Sequence, residues 1–220
     1  MIEASALPTV SLASWTASPT SWAARNRDGL IQGLAHDLPP QVFLRTTALT
    51  GAGPAIERLA ESTRSSASGT LDRLHALAAE LHRQIRFDTQ ATGIDTSAEQ
   101  AASAGHGVCQ DFAHVFIAVS RRIDIPARYV SGHLFRRDGQ HVQEAGHAWA
   151  EAWIEDLGWT AFDPVNGICT DDAYIRVACG LDYGDAAPVA GARSGGGDEE
   201  LKVEVRVSQA ARQAQAQAQS

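Results

Sequence analysis

Basic charge is scarce in this chain. Lys and Arg contribute 18 of the 220 residues against 26 Asp and Glu, a formal net charge of -8, and no stretch gathers the basic residues into a cluster. That balance argues against nucleic acid as a partner, because a phosphate backbone is held by concentrated positive charge. Long apolar runs are missing too, so no membrane span is expected. The first 24 residues, broken throughout by Ser, Thr and Pro, lack the basic start and continuous apolar stretch of a secretory signal. Cysteine is limited to Cys109, Cys169 and Cys179. Three cannot all pair within one chain, and a secreted chain of this size usually holds more. The expectation is a soluble, cytoplasmic protein in a reducing compartment. A Cys109–Cys169 disulfide is the competing use of two of these thiols, since spacing alone permits it. Cys and His are nowhere paired at close ligand spacing, so no zinc, other metal or cofactor is expected.

What is present is the composition of an ordinary folded protein, 44% hydrophobic and 20% charged, with no internal repeat. Residues 1–70 are rich in Ala, Ser, Thr, Gly and Pro, with brief apolar runs such as Val42-Phe43-Leu44, and read as a loosely structured N-terminal region. From Leu71 the pattern changes. Leu71, Leu74, Leu77, Ala78, Leu81 and Ile85 share one helical face, ending near Phe87. Thr96-Ser97-Ala98-Glu99 has the chemistry of a helix start, and that short helix ends by Gly105. A third helix begins at Cys109 and carries Phe112, Ala113, Phe116, Ile117, Val119, Ser120 and Ile123 at helical spacing. Beyond Pro126 the texture is that of strands: 127–135, then 147–154 with Ala148, Ala150, Ala152 and Ile154 alternating against His147, Trp149, Glu151 and Trp153, then 159–165. Leu201 to Val207 alternates as well. The closing Ala and Gln repeat has no large apolar residue with which to bury a face and reads as a frayed tail. The expected division is a core over 71–208 between the N-terminal region and a tail over 209–220.

A thiol attacks an amide as its thiolate, and a helix N-terminus favours that anion because backbone N–H groups and the helix dipole point at it. Cys109 stands at such a place. Gly107 permits a tight approach, and a backbone N–H beside Cys109 is available to an oxyanion. Asp111 opposes thiolate formation by its charge unless it faces away as a helix-start residue, which is the arrangement expected. Of the eight histidines, His147 is the expected proton partner, because it follows Gly146 and opens an aromatic-rich strand. His133 is the second candidate; His114 falls on a helical face as a packing residue. Asp163, in Phe162-Asp163-Pro164, is the expected acceptor that fixes the imidazole. These two strands carry a geometric condition. A hairpin loop with an odd number of residues, about three or five, puts His147 and Asp163 on one face, whereas an even loop without a bulge separates them. Singly, a buried Cys is inert, a strand His structural and an Asp before Pro a turn former. It is the set, in order and in context, that points to nucleophilic catalysis.

Gly107-Val108-Cys109-Gln110-Asp111-Phe112-Ala113, Ile125-Pro126-Ala127-Arg128-Tyr129-Val130-Ser131-Gly132, His147-Ala148-Trp149, Gly158-Trp159 and Phe162-Asp163-Pro164, in that order, resemble bacterial transglutaminase-like domain proteins. The likeness runs from about Leu71 to Val207, through Tyr174-Ile175-Arg176-Val177 and Asp182-Tyr183. It implies an α+β, papain-like fold in which helices, the nucleophile among them, pack on an antiparallel sheet that supplies His and Asp. It implies Cys109, His147 and Asp163 as the catalytic triad. Such proteins often carry a β-rich N-terminal domain; here residues 1–70 are short and poor in strands, a truncated or remodelled remnant.

The function expected is cysteine-dependent acyl transfer or amide hydrolysis through a thioester, with a peptide or protein amide as substrate. Transfer and hydrolysis share every step up to release of the acyl group. A protein of another class, with the same fold and no turnover, would use Trp149, Trp153 and Trp159 to line a peptide cleft. The plainer reading of those tryptophans is core and cleft wall.

Overall fold

In the computed structural model, residues 38–90, 92–135 and 146–187 are described in full, together with the backbone of short strands at 26–27, 30–31, 142–143 and 205–206. Helices α1 (Pro54–Ser66), α2 (Thr70–Gln84) and α3 (Ala98–Ala104) surround the buried α4 (Cys109–Arg122), and a single turn, α5 (Tyr183–Ala186), comes late in the described chain. Every residue of α4 from Gln110 to Arg121 is buried. A helix hidden on all sides belongs to the centre of a domain, not to its surface.

The strands are β1 (Asn26–Arg27), β2 (Leu30–Ile31), β3 (Arg86–Phe87), β4 (His106–Gly107), β5 (Ala127–Leu134), β6 (Val142–Gln143), β7 (His147–Ile154), β8 (Gly158–Asp163), β9 (Ile168–Cys169), β10 (Tyr174–Gly180) and β11 (Val205–Arg206). The main sheet is antiparallel in the order β1-β2-β8-β7-β5-β10, with β9 also pairing β8. Mixed helix and antiparallel sheet is the α+β class expected. Period-two alternation gives this sheet two differently packed faces. On one, Ala127, Tyr129, Ala148, Ala150, Ala152 and Phe162 pack with the inner residues of α1, α2 and α4. On the other, Val130, Trp149, Trp159 and Ala161 pack with Phe43 from a 3-10 turn, Pro40–Leu44. That face also seals an ion pair, Arg128 Nε to Glu151 Oε2 at 2.6 Å, with the guanidinium 4.0 Å above the Trp159 ring.

Much of the local expectation holds, with one correction. α2 and α3 fall where their periodicity and capping residues indicate; Ser97 and Gln100 form the capping box, and Gly105 ends α3 at φ 70°. Glu99 has a different employment. Its carboxylate accepts the N–H groups of Gly53, Ala55 and Ile56, capping α1 from another helix. The correction concerns the region before residue 71, which is not loosely structured between 40 and 66. α1 buries Ile56, Ala60 and Thr63 at i, i+4 and i+7, a stripe that small and polar residues dilute below the level at which sequence periodicity is visible. Most of 1–37 and the tail over 209–220 lie outside the described residues. Of the alternating Leu201–Val207 segment, Val205–Arg206 pairs with Val142–Gln143, and the remainder lies outside. Among the described residues, no helix is long and apolar enough to cross a membrane.

Candidate active site

The β7–β8 hairpin meets the geometric condition. Ile154 pairs with Gly158, so the loop between them is the three residues 155–157. With that odd loop, residue 163 lies on the face of 147 and 149. His147 Nε2 and Asp163 Oδ2 are 2.7 Å apart. Cys109, first residue of α4, lies beside the same imidazole and favours its charged form; with Nε2 held by Asp163, Nδ1 is the nitrogen left for the thiol.

The start of α4 is built without a conventional cap. Val108 has no side-chain acceptor, so Asp111 reaches back from the first turn and accepts the Val108 N–H at 2.8 Å. Thr92 Oγ1 donates to the same carboxylate oxygen at 2.6 Å. A Cβ on Gly107 would come within 2.7 Å of the Asp111 carboxylate, so the glycine is a steric requirement of this cap. Asp111 is thus tied to the helix start. Burial raises its pKa, against the hydrogen bonds from Thr92 and Val108 and the charge of His106.

Asp163 is fully buried and accepts five hydrogen bonds. Oδ2 receives His147 Nε2, the Tyr174 hydroxyl at 2.7 Å and Asn166 Nδ2 at 2.6 Å; Oδ1 receives the backbone N–H of Val165 at 3.0 Å and of Asn166 at 3.2 Å. Burial would raise its pKa, yet His147 by hydrogen bond and charge, then Tyr174 and Asn166, bring it below the ordinary value. Burial likewise pulls His147 down. The hydrogen bond to Asp163, and the charges of Asp163 and Cys109, outweigh this and lift it to about 9. The arrangement can therefore keep an imidazolium beside a sulfur at neutral pH.

The other candidates sit elsewhere or are differently used. His133 faces away from His147 across the sheet, its neighbour Gly132 being the residue paired with His147, and burial lowers its pKa. His114 is a packing residue on α4. All three cysteines are free thiols, so no Cys109–Cys169 disulfide forms. Trp149 and Trp159 are buried in the second core, with Trp153 packed against it. Among the described residues, no three His, Cys, Asp or Glu side chains converge to hold a metal. Two members of the site escaped the sequence reading. Asn166 has a local signal, since Asp163-Pro164-Val165-Asn166 is a turn in which an Asx side chain binds backbone two and three residues on. Tyr174 has none, because it arrives from β10, a non-adjacent strand.

Residues 57–164 match the transglutaminase-like superfamily. An uncharacterized protein of Mycobacterium leprae is 37% identical over 174 residues, 76% of this chain and 61% of that protein. A protein-glutamine gamma-glutamyltransferase of Pseudomonas aeruginosa is 30% identical over 102 residues, 42% of this chain and 14% of that enzyme. The chain thus spans less than two thirds of either relative's length. Among solved structures, a candidate cysteine protease of Cytophaga hutchinsonii aligns with a TM-score of 0.58 at 24% identity, over 73% of this chain and 53% of that one. That likeness concerns the fold.

Proposed function

Because residues 57–164 form a transglutaminase-like domain, we propose that the chain is an enzyme that cleaves carboxamides by acyl transfer to Cys109, with His147 as acid and base and Asp163 as its anchor. One observation carries this reading: a single imidazole, 2.7 Å from a fully buried carboxylate, stands beside a helix-start thiol. Cys109 as thiolate attacks the carbonyl carbon, and the negative charge moves to the carbonyl oxygen, next to the backbone N–H groups that open α4. The His147 imidazolium then gives its proton to the amide nitrogen. The C–N bond breaks, ammonia or an amine leaves, and a thioester remains on Cys109. In the second half, His147 takes a proton from water or from an incoming primary amine as that nucleophile attacks the thioester, and the thiolate is released. Asp163 stays ionised throughout and holds the ring.

Iodoacetamide labelling tests the first half. Cys109 is expected to alkylate near neutral pH much faster than an ordinary thiol, and His147→Ala is expected to remove that advantage. Equal rates in the two proteins would sink the triad. Incubating the wild type with a glutamine peptide and a primary amine then separates amine incorporation from simple release of ammonia.

A further inference from the structure

Three donors share a single oxygen at the back of the triad. Asp163 Oδ2 receives His147 Nε2 at 2.7 Å, the Tyr174 hydroxyl at 2.7 Å and Asn166 Nδ2 at 2.6 Å. A carboxylate oxygen offers about two lone-pair sites, so donors beyond the imidazole draw on the charge that would otherwise stabilise it. Asn166 belongs to the turn that follows Asp163, and its backbone N–H is already bound to Oδ1. Tyr174 is different in origin, because β10 pairs with β5 and not with the β7–β8 hairpin.

The tyrosine ring is held in place by its neighbours. It stands edge to face against Trp149, centroids 5.3 Å apart, and 6.0 Å from the His147 ring. Trp149 in turn lies over Gly132, where a Cβ would come within 2.5 Å of the indole and 2.1 Å of the Ile175 carbonyl. Residue 132 must be glycine for the tryptophan to lie there, and the tryptophan supports the tyrosine. Such packing leaves the hydroxyl a fixed reach to Oδ2.

We propose that Tyr174 is a positioning residue that tempers Asp163, so that His147 releases its proton more readily than an imidazole with sole claim on that carboxylate. This inference rests on the triad reading. The ionisable groups bearing on the pair come from several elements: Cys109 from α4 on the ring, Tyr174 from β10 on Oδ2, and Asp171, in the turn before β10, acting on Tyr174. From α2, His82 Nδ1 meets the Val165 carbonyl at 2.7 Å. None of the others is a neutral donor to Oδ2, so removing the hydroxyl has a definite sign. Asp163 presents more charge to His147, and the imidazolium persists to higher pH.

The experiment is the pH profile of Cys109 labelling by iodoacetate in the full chain. This anionic reagent is drawn by the imidazolium, so its alkaline limb reports proton loss from His147. Tyr174→Phe, which keeps the ring and its packing, is expected to move that limb up by about half a unit or more. Asn166→Ala, which removes the other neutral donor, is expected to move it the same way. A limb unmoved or lowered in both variants, with wild-type labelling still dependent on His147, overturns the role of Tyr174 and leaves the triad standing. A uniform drop in rate at every pH, with the limb in place, marks a structural tyrosine only and also overturns it. Wild-type labelling indifferent to His147→Ala removes the triad and this inference with it.

Discussion

His114 on α4 and His147 on β7 are both shielded from water, yet one is a neutral core residue and the other holds a proton past neutrality. Around His114, burial dominates and the charge of Arg121 adds to it; the opposing pull of Asp182 is weaker, and the pKa falls to about 4. Its Nε2 accepts the Tyr183 backbone N–H at 3.1 Å, a bond that only the neutral ring can accept. Around His147 burial is outweighed by a carboxylate in direct contact and a neighbouring thiol, and the pKa rises to about 9. Burial sets a common penalty on the charged ring, and the charge of the hydrogen-bond partner decides which form survives it.

The strongest way to break the contrast is to take the partner from His147. Asp163→Ala should bring its environment closer to that of His114: burial is then opposed by Cys109 alone, the imidazolium is destabilised, and Cys109-dependent turnover falls by about a thousandfold or more. Steady-state kinetics on a glutamine peptide measure the fall. A variant within tenfold of wild type would show that Asp163 is not the anchor of His147.

A second effect appears in stability against pH, with opposite signs at the two rings. The folded pKa of His114 lies below the ordinary 6.5, so the unfolded chain binds the proton more readily. Its contribution is present above 6.5 and is lost as pH falls through about 4, at most about 3 kcal/mol. The folded pKa of His147 lies above 6.5, so its contribution is present below 6.5 and is lost as pH rises through about 9. Urea unfolding across pH should show His114→Gln flattening the acid slope and His147→Gln the alkaline slope. Identical slopes in wild type and variants would contradict the assignment.

The smallest effect concerns the start of α4, which carries both the thiol and His114. Asp111→Ala removes the acceptor of the Val108 N–H and should lower stability by about 1 kcal/mol. The urea midpoint at pH 7 reads it; no change there would mean that Thr92 and Asp111 do not hold that turn.

The parts of the molecule legible in its sequence are those governed by near neighbours. Helix periodicity shows α2 and α4, capping chemistry shows α3, and alternation shows β5, β7 and β8. Loop parity even relates His147 to Asp163, because a tight hairpin ties register to loop length. α1 was hidden because its buried stripe contains Ala and Thr, and its cap, Glu99, lies on α3, more than forty positions along the chain.

What the sequence alone determined, then, is local: a helix beginning at Cys109, a hairpin carrying His147 and Asp163 on one face, and a composition able to bury both. Tertiary structure alone decided which ring is charged and what surrounds Asp163. Both depend on groups brought from distant positions, Tyr183 to His114, Cys109 to His147 and Tyr174 to Asp163. Electrostatic and hydrogen-bond energies follow separation in space, to which separation along the chain is no guide once strands from different parts of it are packed side by side.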